Sequence, residues 1–261
     1  MPMSRSRKTA LWIVGIVLAL LAVVGVCFAV FYAVLDNEPT VKDNSVLVLN
    51  VGGSMPDYVP EDPMNRWLGR DERSLSNTLL QLRKAKADKR VGAVLLDFDL
   101  VTSGWGKASE LRDAITDFRA SGKPVYAYME FGANKEYYIA TACDRIYVAP
   151  IGELAIVGLA ADVMSYGGAL DKLGVKMDVY QIGKYKTAPE EYTRKQMSDA
   201  NKEVLNSVLE EFYARMVSTI AEARHKSDTE VRAAIDSAPL RADEAKRLGL
   251  IDDAKYRDEV E

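Results

Sequence analysis

An α/β fold with a largely parallel sheet, set behind one membrane-spanning helix, is predicted by three features of this 261-residue chain. Strand-length apolar runs alternate with helical patterns through its first two-thirds, the pattern of crossover connections. One run, VGAVLLDFDL, is apolar almost throughout, as a strand covered on both faces requires. The segment at 11–35, LWIVGIVLALLAVVGVCFAVFYAVL, contains no charged side chain.

That segment comes first. About 20 apolar residues cross a bilayer as a helix. Arg5, Arg7 and Lys8 precede the run, and Asp36 and Glu38 follow it. The positive-inside rule places residues 1–10 in the cytoplasm and everything after Asp36 outside it. A cleaved secretory signal has an apolar stretch of only roughly 7–15 residues. This run is longer and ends in no small-x-small cleavage site, and Val26 before Cys27 suits a lipoprotein site poorly. Residues 11–35 are therefore read as an uncleaved anchor, 36–45 as a linker and 46–261 as the folded module.

Within the module VLVLNV (Val46–Val51) is the first strand, followed by the Gly/Pro-rich loop GGSMPDYVPEDP. Ser74–Ala87 is a helix with Leu75, Leu79 and Leu82 on one side. VGAVLLDFDL is the second strand, after which Gly104 and Gly106 break the chain. Ala108–Ala120 is helical, with Leu111, Ile115 and Phe118 in register, and Gly122 with Pro124 stops it. PVYAYME is a third strand, Lys135–Ala142 a short helix and RIYVAP a fourth strand. MSYGGALDKLG reads as a helix closed by glycine, and KMDVYQIG as a further strand. Asp199 to about Lys226 is one long helix. Val204, Val208, Phe212, Met216 and Ile220, with Leu205, Leu209 and Val217, give it a wide apolar stripe that needs a partner surface. Ser227 with Glu230 makes a capping box for the next helix. RADEAKRLGLID gives a short helix, a stop at Gly249 and a final strand.

Composition excludes several functions. A net charge of -4 argues against a broadly basic nucleic-acid surface. Two cysteines, Cys27 and Cys143, give no disulfide framework or zinc site. The single histidine, His225, stands among charges at a helix end, so a Ser-His-Asp triad or histidine-rich metal site has no support. Asp97 and Asp99 alternate in a strand without further acidic clustering, which reads as solvation. No metal or cofactor is expected.

Two segments can carry chemistry. In QIGKYKTAPEEYTR, Lys184 and Lys186 follow the strand KMDVYQIG and so fall near the carboxyl edge of the sheet, where ligands bind in open α/β folds. Residues two apart in extended chain share a face, so geometry leaves both lysines open. A lysine acts as a base only when neutral, and burial beside apolar groups favours that form. The competing reading is that both are solvated or paired with Glu190 and Glu191. Gly104 and Gly106, in VTSGWGK, end a strand and open a helix, where backbone N–H groups can face an oxyanion. A plain turn is the preferred explanation, and the spacing is no Walker A.

Several pieces in order resemble the signal peptide peptidase A family. They are VGAVLLDF, a glycine turn, FRASGKPVYAY, EYYIATACDRIYVAP, GALDKLGVKMDVYQIGKYKTAPEEYTRKQMS and RADEAKRLGLIDD. That family comprises membrane-anchored Ser-Lys proteases with a ClpP/crotonase-like fold. The resemblance implies a repeated ββα core with a long C-terminal helix, and it assigns the catalytic lysine of G-x-YK-[ST]-A to Lys186. Lys184 falls at a loose position of the motif. Where the family has its nucleophile, in a segment like ASGGYY, this chain has ANKEYY. Asn134 stands at the serine position, and Lys135 and Glu136 replace glycines. VTSGWG replaces the SPGG-type oxyanion turn. Ser103 and Ser165 are the nearest in-chain hydroxyls, and neither sits in a nucleophile-like turn.

This pattern resembles the amino-terminal, lysine-bearing half of the long two-module form. It implies a serine supplied by a second module, peptide substrates including cleaved signal peptides, and a tetrameric ring. It also implies residence in the bacterial inner membrane, in contact with lipid, with the module in the periplasm. The chain is then a fragment, or meets its serine on another subunit, or is inactive. A non-catalytic membrane scaffold is the alternative. An acyl-CoA enzyme of the crotonase type fits an extracytoplasmic module poorly.

Overall fold

The computed structural model describes residues 5–35, 41–59 and 74–260. They fall into two units, Met1–Lys42 and Asp43–Glu261. Of the expected linker at 36–45, residues 36–40 lie outside the described residues, as do residues 60–73 of the loop after Val59, and Ser45 already belongs to the first strand.

The first unit is helix α1 (Arg5–Leu35). Its span Trp12–Phe31, 20 residues, is apolar and exposed along its whole length. At 1.5 Å per residue it extends about 30 Å, the depth of a bilayer's hydrocarbon core. The helix begins before the apolar run and takes in the basic residues that precede it.

The second unit is built on a six-stranded sheet. Strands β1 (Ser45–Gly53), β2 (Val91–Val101), β3 (Val125–Ala133) and β4 (Arg145–Ala155) are parallel neighbours in chain order. Parallel neighbours need a crossover, usually a helix. Here the crossovers are α2 (Leu75–Ala87), α3 (Trp105–Arg119) and α4 (Asn134–Ala140). Two-residue strands β5 (Leu240–Arg241) and β6 (Asp253–Ala254) fill the far side of β4, the first antiparallel and the second parallel.

Register explains the burial. Leu49, Leu96, Ala127 and Ile146 form one row across the sheet and lie in the main core. Leu95, Tyr128 and Ala149 point the other way and are buried with Val48, Tyr126, Tyr147 and Val260. Strand β2 is thus covered on both faces, as its unbroken apolar run predicts. Helix α2 opens on Ser74, whose hydroxyl accepts the Asn77 N–H at 3.1 Å. After α3, Gly122 takes φ +82°, a conformation that ends the helix and suits glycine.

The remaining elements are α5 (Gly167–Lys172), α6 (Glu190–Thr193), α7 (Asp199–Arg224), α8 (Asp228–Asp236), α9 (Ala242–Arg247) and α10 (Arg257–Val260). His225 is exposed and caps α7 in the left-handed region, φ 54°. The expected capping box is present, with Ser227 N–H donating to Glu230 at 2.8 Å.

One expectation is corrected. KMDVYQIG is not a strand, and no strand among the described residues pairs with it. The far side of β4 pairs instead with β5 at Glu153 and Leu154 and with β6 at Tyr147 and Val148. The side chains of KMDVYQIG stand in solvent, with Tyr180 92 % and Ile182 75 % exposed. The apolar stripe of the long helix finds its expected partner surface in the core over part of its length. Met216, Val217, Ile220 and Ala221 are buried, while Val208 is 45 % exposed.

Candidate functional site

With that strand gone, Lys184 and Lys186 lie on an irregular exposed segment and not at the carboxyl edge of the sheet. Gly183 turns the chain at φ +98°, and the Lys186 N–H closes back onto its carbonyl at 3.3 Å. The segment rests on the amino-terminal end of α7.

Structure separates the two lysines that the sequence leaves equivalent. Lys184 Nζ donates to Glu203 Oε2 at 3.1 Å and to the Tyr185 hydroxyl at 3.3 Å. The Tyr185 hydroxyl in turn donates to Glu203 Oε1 at 2.9 Å. The Glu203 carboxylate, with the tyrosine beside it, holds the Lys184 ammonium above the ordinary lysine value. Such a group keeps its proton and is a poor base. The Lys186 side chain is exposed and has no hydrogen bond or ion pair among the described residues. Glu190 and Glu191, the expected partners, hold neither lysine.

Both sides of Lys186 are anchored. Thr187 Oγ1 donates to Asn201 Oδ1 at 3.3 Å. Glu190 is 8 % exposed and accepts the Ser198 N–H at 3.2 Å. Hydrogen bonds from Ser198 hold its carboxyl below the usual carboxylate range. Upstream, the Tyr166 N–H reaches the Glu191 carbonyl at 2.6 Å and its ring stacks on Tyr192 at 5.9 Å. Helices α5 and α6 are thereby joined.

A second cluster forms where β2, β3 and α4 meet. Asn134 opens α4, and its Oδ1 accepts the Val157 N–H at 2.8 Å. Lys135 Nζ donates to the Ser103 carbonyl at 2.6 Å, bringing the 103–106 turn beside the start of α4. Glu136 is 1 % exposed; its two oxygens accept N–H groups from Val101 and, at 3.0 Å, from Ala133. Tyr137, next along, is fully buried and donates to the Leu250 carbonyl at 2.6 Å, fixing the helix to the core. Burial raises the pKa of that hydroxyl.

Gly104 N-caps α3 without a side-chain partner, and a side chain at Gly104 or Gly106 would meet open space. Trp105 between them packs edge-on to Tyr138 at 5.5 Å and stacks with Phe212 at 6.1 Å. Ser103 is 5 % exposed and its hydroxyl has no hydrogen-bond partner among the described residues. The Lys135 bond to the Ser103 carbonyl brings the turn that holds Gly104 and Gly106 beside the start of α4, where Asn134 stands. Lys186 is tied to α7 and makes no bond to them.

Glu136, Ser198, Asn201 and Glu203 escape the sequence reading as site residues. Ser198 alone carries a local signal, an N-cap serine ahead of a helical pattern. The others act over sequence distances that no motif spans. Asp97, read as solvated, is half-buried and pairs with Arg257 at 3.1 Å. Among the described residues no three His, Cys, Asp or Glu side chains group to hold a metal.

Comparison with known proteins agrees with the motif. The family model described as peptidase family S49 matches residues 117–261. The chain is 32 % identical to the chloroplastic serine protease SPPA of Arabidopsis thaliana over 84 % of its own length and 32 % of that protein. It is 30 % identical to protease 4 of Salmonella typhi, over 74 % of this chain and 32 % of that one. A putative signal peptide peptidase SppA of Enterococcus faecium is 26 % identical over 85 % of this chain and 63 % of its own. The chain therefore spans about a third of the length of the first two relatives. A match over more than half its residues, covering both α4 and the lysine segment, places this chain in peptidase family S49, the signal peptide peptidase A group.

Proposed function

We propose that this chain is the lysine-donating module of a membrane-anchored serine endopeptidase of the signal peptide peptidase type. The observation that carries the reading is the contrast between the lysines: Lys184 is committed to Glu203, while Lys186, at the motif position, is held by its backbone with its amine unengaged. A serine hydroxyl from a second module meets this amine. Docking removes water from the lysine, which favours the neutral form. The amine takes the hydroxyl proton as the serine attacks the scissile carbonyl. It returns the proton to the leaving amine, then activates the water that hydrolyses the acyl-enzyme. Gly104 and Gly106 are the in-chain candidates for oxyanion N–H donors. The chemistry calls for no metal or cofactor.

The fold is read as ClpP/crotonase-like, and the assembly as a homo-oligomeric, tetramer-like ring. Support comes from the exposed apolar side chains of the lysine-bearing segment, among them Leu173 (75 %), Tyr180 and Ile182, and from Val208, exposed on the α7 stripe. Such a surface fits a protein partner better than solvent. The proposed setting is the bacterial inner membrane, with α1 crossing once, the basic residues in the cytoplasm and the module in the periplasm. Short apolar peptides, remnant signal peptides among them, are the proposed substrates.

Lys186→Ala and Lys184→Ala in the assembled enzyme test this reading. The first is expected to abolish peptide hydrolysis and the second to leave most of it; full activity in Lys186→Ala sinks the assignment. A second reading, a non-catalytic scaffold, is favoured by one observation. Asn134, Lys135 and Glu136 are all engaged in structural hydrogen bonds at the serine-equivalent turn. A serine-reactive phosphonate that labels nothing in the purified assembly decides for the scaffold.

A further inference from the structure

We propose that Glu190 is a positioning residue for Lys186, a buried carboxylate that fastens the lysine-bearing segment to the start of α7. The inference rests on Lys186 as the base and adds what holds it in place. Across residues 181–194 every residue is exposed or half-exposed except Glu190. A carboxylate is an improbable choice for the one buried place in a solvated loop unless its oxygens are used.

Both oxygens are used. Oε2 accepts the backbone N–H of Ser198, and Oε1 faces Arg194 Nε at 3.5 Å. Ser198 is the N-cap of α7, its hydroxyl accepting the Asn201 N–H at 3.1 Å. Asn201 Oδ1 receives the hydroxyl of Thr187, the residue after Lys186. The Glu190 N–H returns to the Thr187 carbonyl at 2.9 Å. Thr187, Glu190, Ser198 and Asn201 therefore close a hydrogen-bonded ring around the base of the lysine. The negative charge also sits at the amino terminus of a 26-residue helix, where the exposed N–H groups favour an anion.

The catalytic consequence follows from geometry. Proton transfer needs the amine within hydrogen-bond reach of the serine, and a misplacement of about 1 Å costs about 100-fold in rate. Lys186 has no side-chain partner among the described residues to hold it, so its backbone must be fixed instead. Glu191, next in the chain, is the natural control: its side chain has no partner among the described residues.

The experiment uses the full chain in its membrane-extracted assembly, with phosphonate titration to count working sites. Glu190→Ala is expected to lower kcat per titrated site about 100-fold with KM nearly unchanged. Glu190→Gln keeps the shape and one acceptor, and is expected to recover about tenfold of that loss. Glu191→Gln should match the parent. The pH at which kcat is half-maximal should stay fixed while the plateau falls, because positioning leaves the ionisation of the base alone. Wild-type kcat per site in Glu190→Ala, a loss confined to KM, or a shifted pH midpoint overturns the proposal. Hydrogen exchange gives a readout independent of activity. Amides within 183–198 should exchange at least about tenfold faster in Glu190→Ala, and unchanged exchange overturns the tether. An inert Lys186 with accelerated exchange instead locates the failure in the assignment of the base.

Discussion

Replacing Glu136 by alanine tests whether the turn that opens α4 is a structural clasp. The carboxylate is 1 % exposed and satisfies two backbone donors, Val101 N–H at the end of β2 and Ala133 N–H at the end of β3. Removing it orphans both amides, at about 1–3 kcal/mol each. The gain from no longer burying a charge offsets part of this, leaving a net loss of about 3 kcal/mol. With a urea slope of about 2 kcal/mol/M, the unfolding midpoint should fall by about 1.5 M. Trp105, on α3, is a local reporter, packed on Tyr138 of α4, the helix that carries Glu136. Urea titration of the full chain in detergent, with Trp12 and Trp67 changed to phenylalanine, reads that tryptophan alone. Glu136→Gln retains one acceptor and should fall about half as far. A midpoint shift under about 0.5 M in Glu136→Ala, or a glutamine variant as unstable as alanine, refutes the clasp.

Other outcomes follow from the same contacts. Gly167→Ala puts a Cβ 2.5 Å from the Arg194 carbonyl oxygen, a backbone atom, so α5 and α6 must part. A cost of about 1–3 kcal/mol is expected, seen as faster proteolysis within 160–197; an unchanged cleavage rate contradicts it. Ser103→Ala removes a buried hydroxyl that has no partner among the described residues, so thermal stability should rise by up to about 1 kcal/mol. A drop in Tm would show that the hydroxyl is needed. Acid should destabilise the module. Ser227 holds Glu230 low, Lys246 does so for Asp253, and Arg90 holds Asp88 at about 2. The unfolded chain then binds more protons as pH falls through about 4, so this stability is present above that range and lost below it. Tm should hold from pH 7 to 5 and fall from about 4 downward; a rise on acidification contradicts the linkage.

What the sequence reveals depends on how local the cause is. Strand β2 is legible because both of its faces are buried, which leaves an unbroken apolar run. Helix α8 is legible because Ser227 and Glu230 cap it within one turn. KMDVYQIG misleads because alternation reports only that one side of an extended chain is apolar. It cannot say whether a sheet edge is free to receive it, and β5 and β6 have taken the edge of β4. The two lysines are inseparable in sequence because their difference lies in Glu203, far along the chain on another element. Glu136 looks like a lost glycine until the ends of β2 and β3 are seen to converge on it. Motif resemblance points to Lys186 in sequence alone, whereas how its segment is held shows only in the α7 contacts.

The short strands that seal β4 also impose an order of events on the molecule's birth. A ribosome releases β1 to β4 in chain order, and each can pair with the strand just made. The outer side of β4 must wait until Leu240–Arg241 and Asp253–Ala254 have been synthesised. Until then a nascent chain carries an open row of backbone donors and acceptors, a template for pairing with the wrong chain. A message truncated before codon 240 should therefore yield a product that clumps, even though every residue of the lysine segment is present.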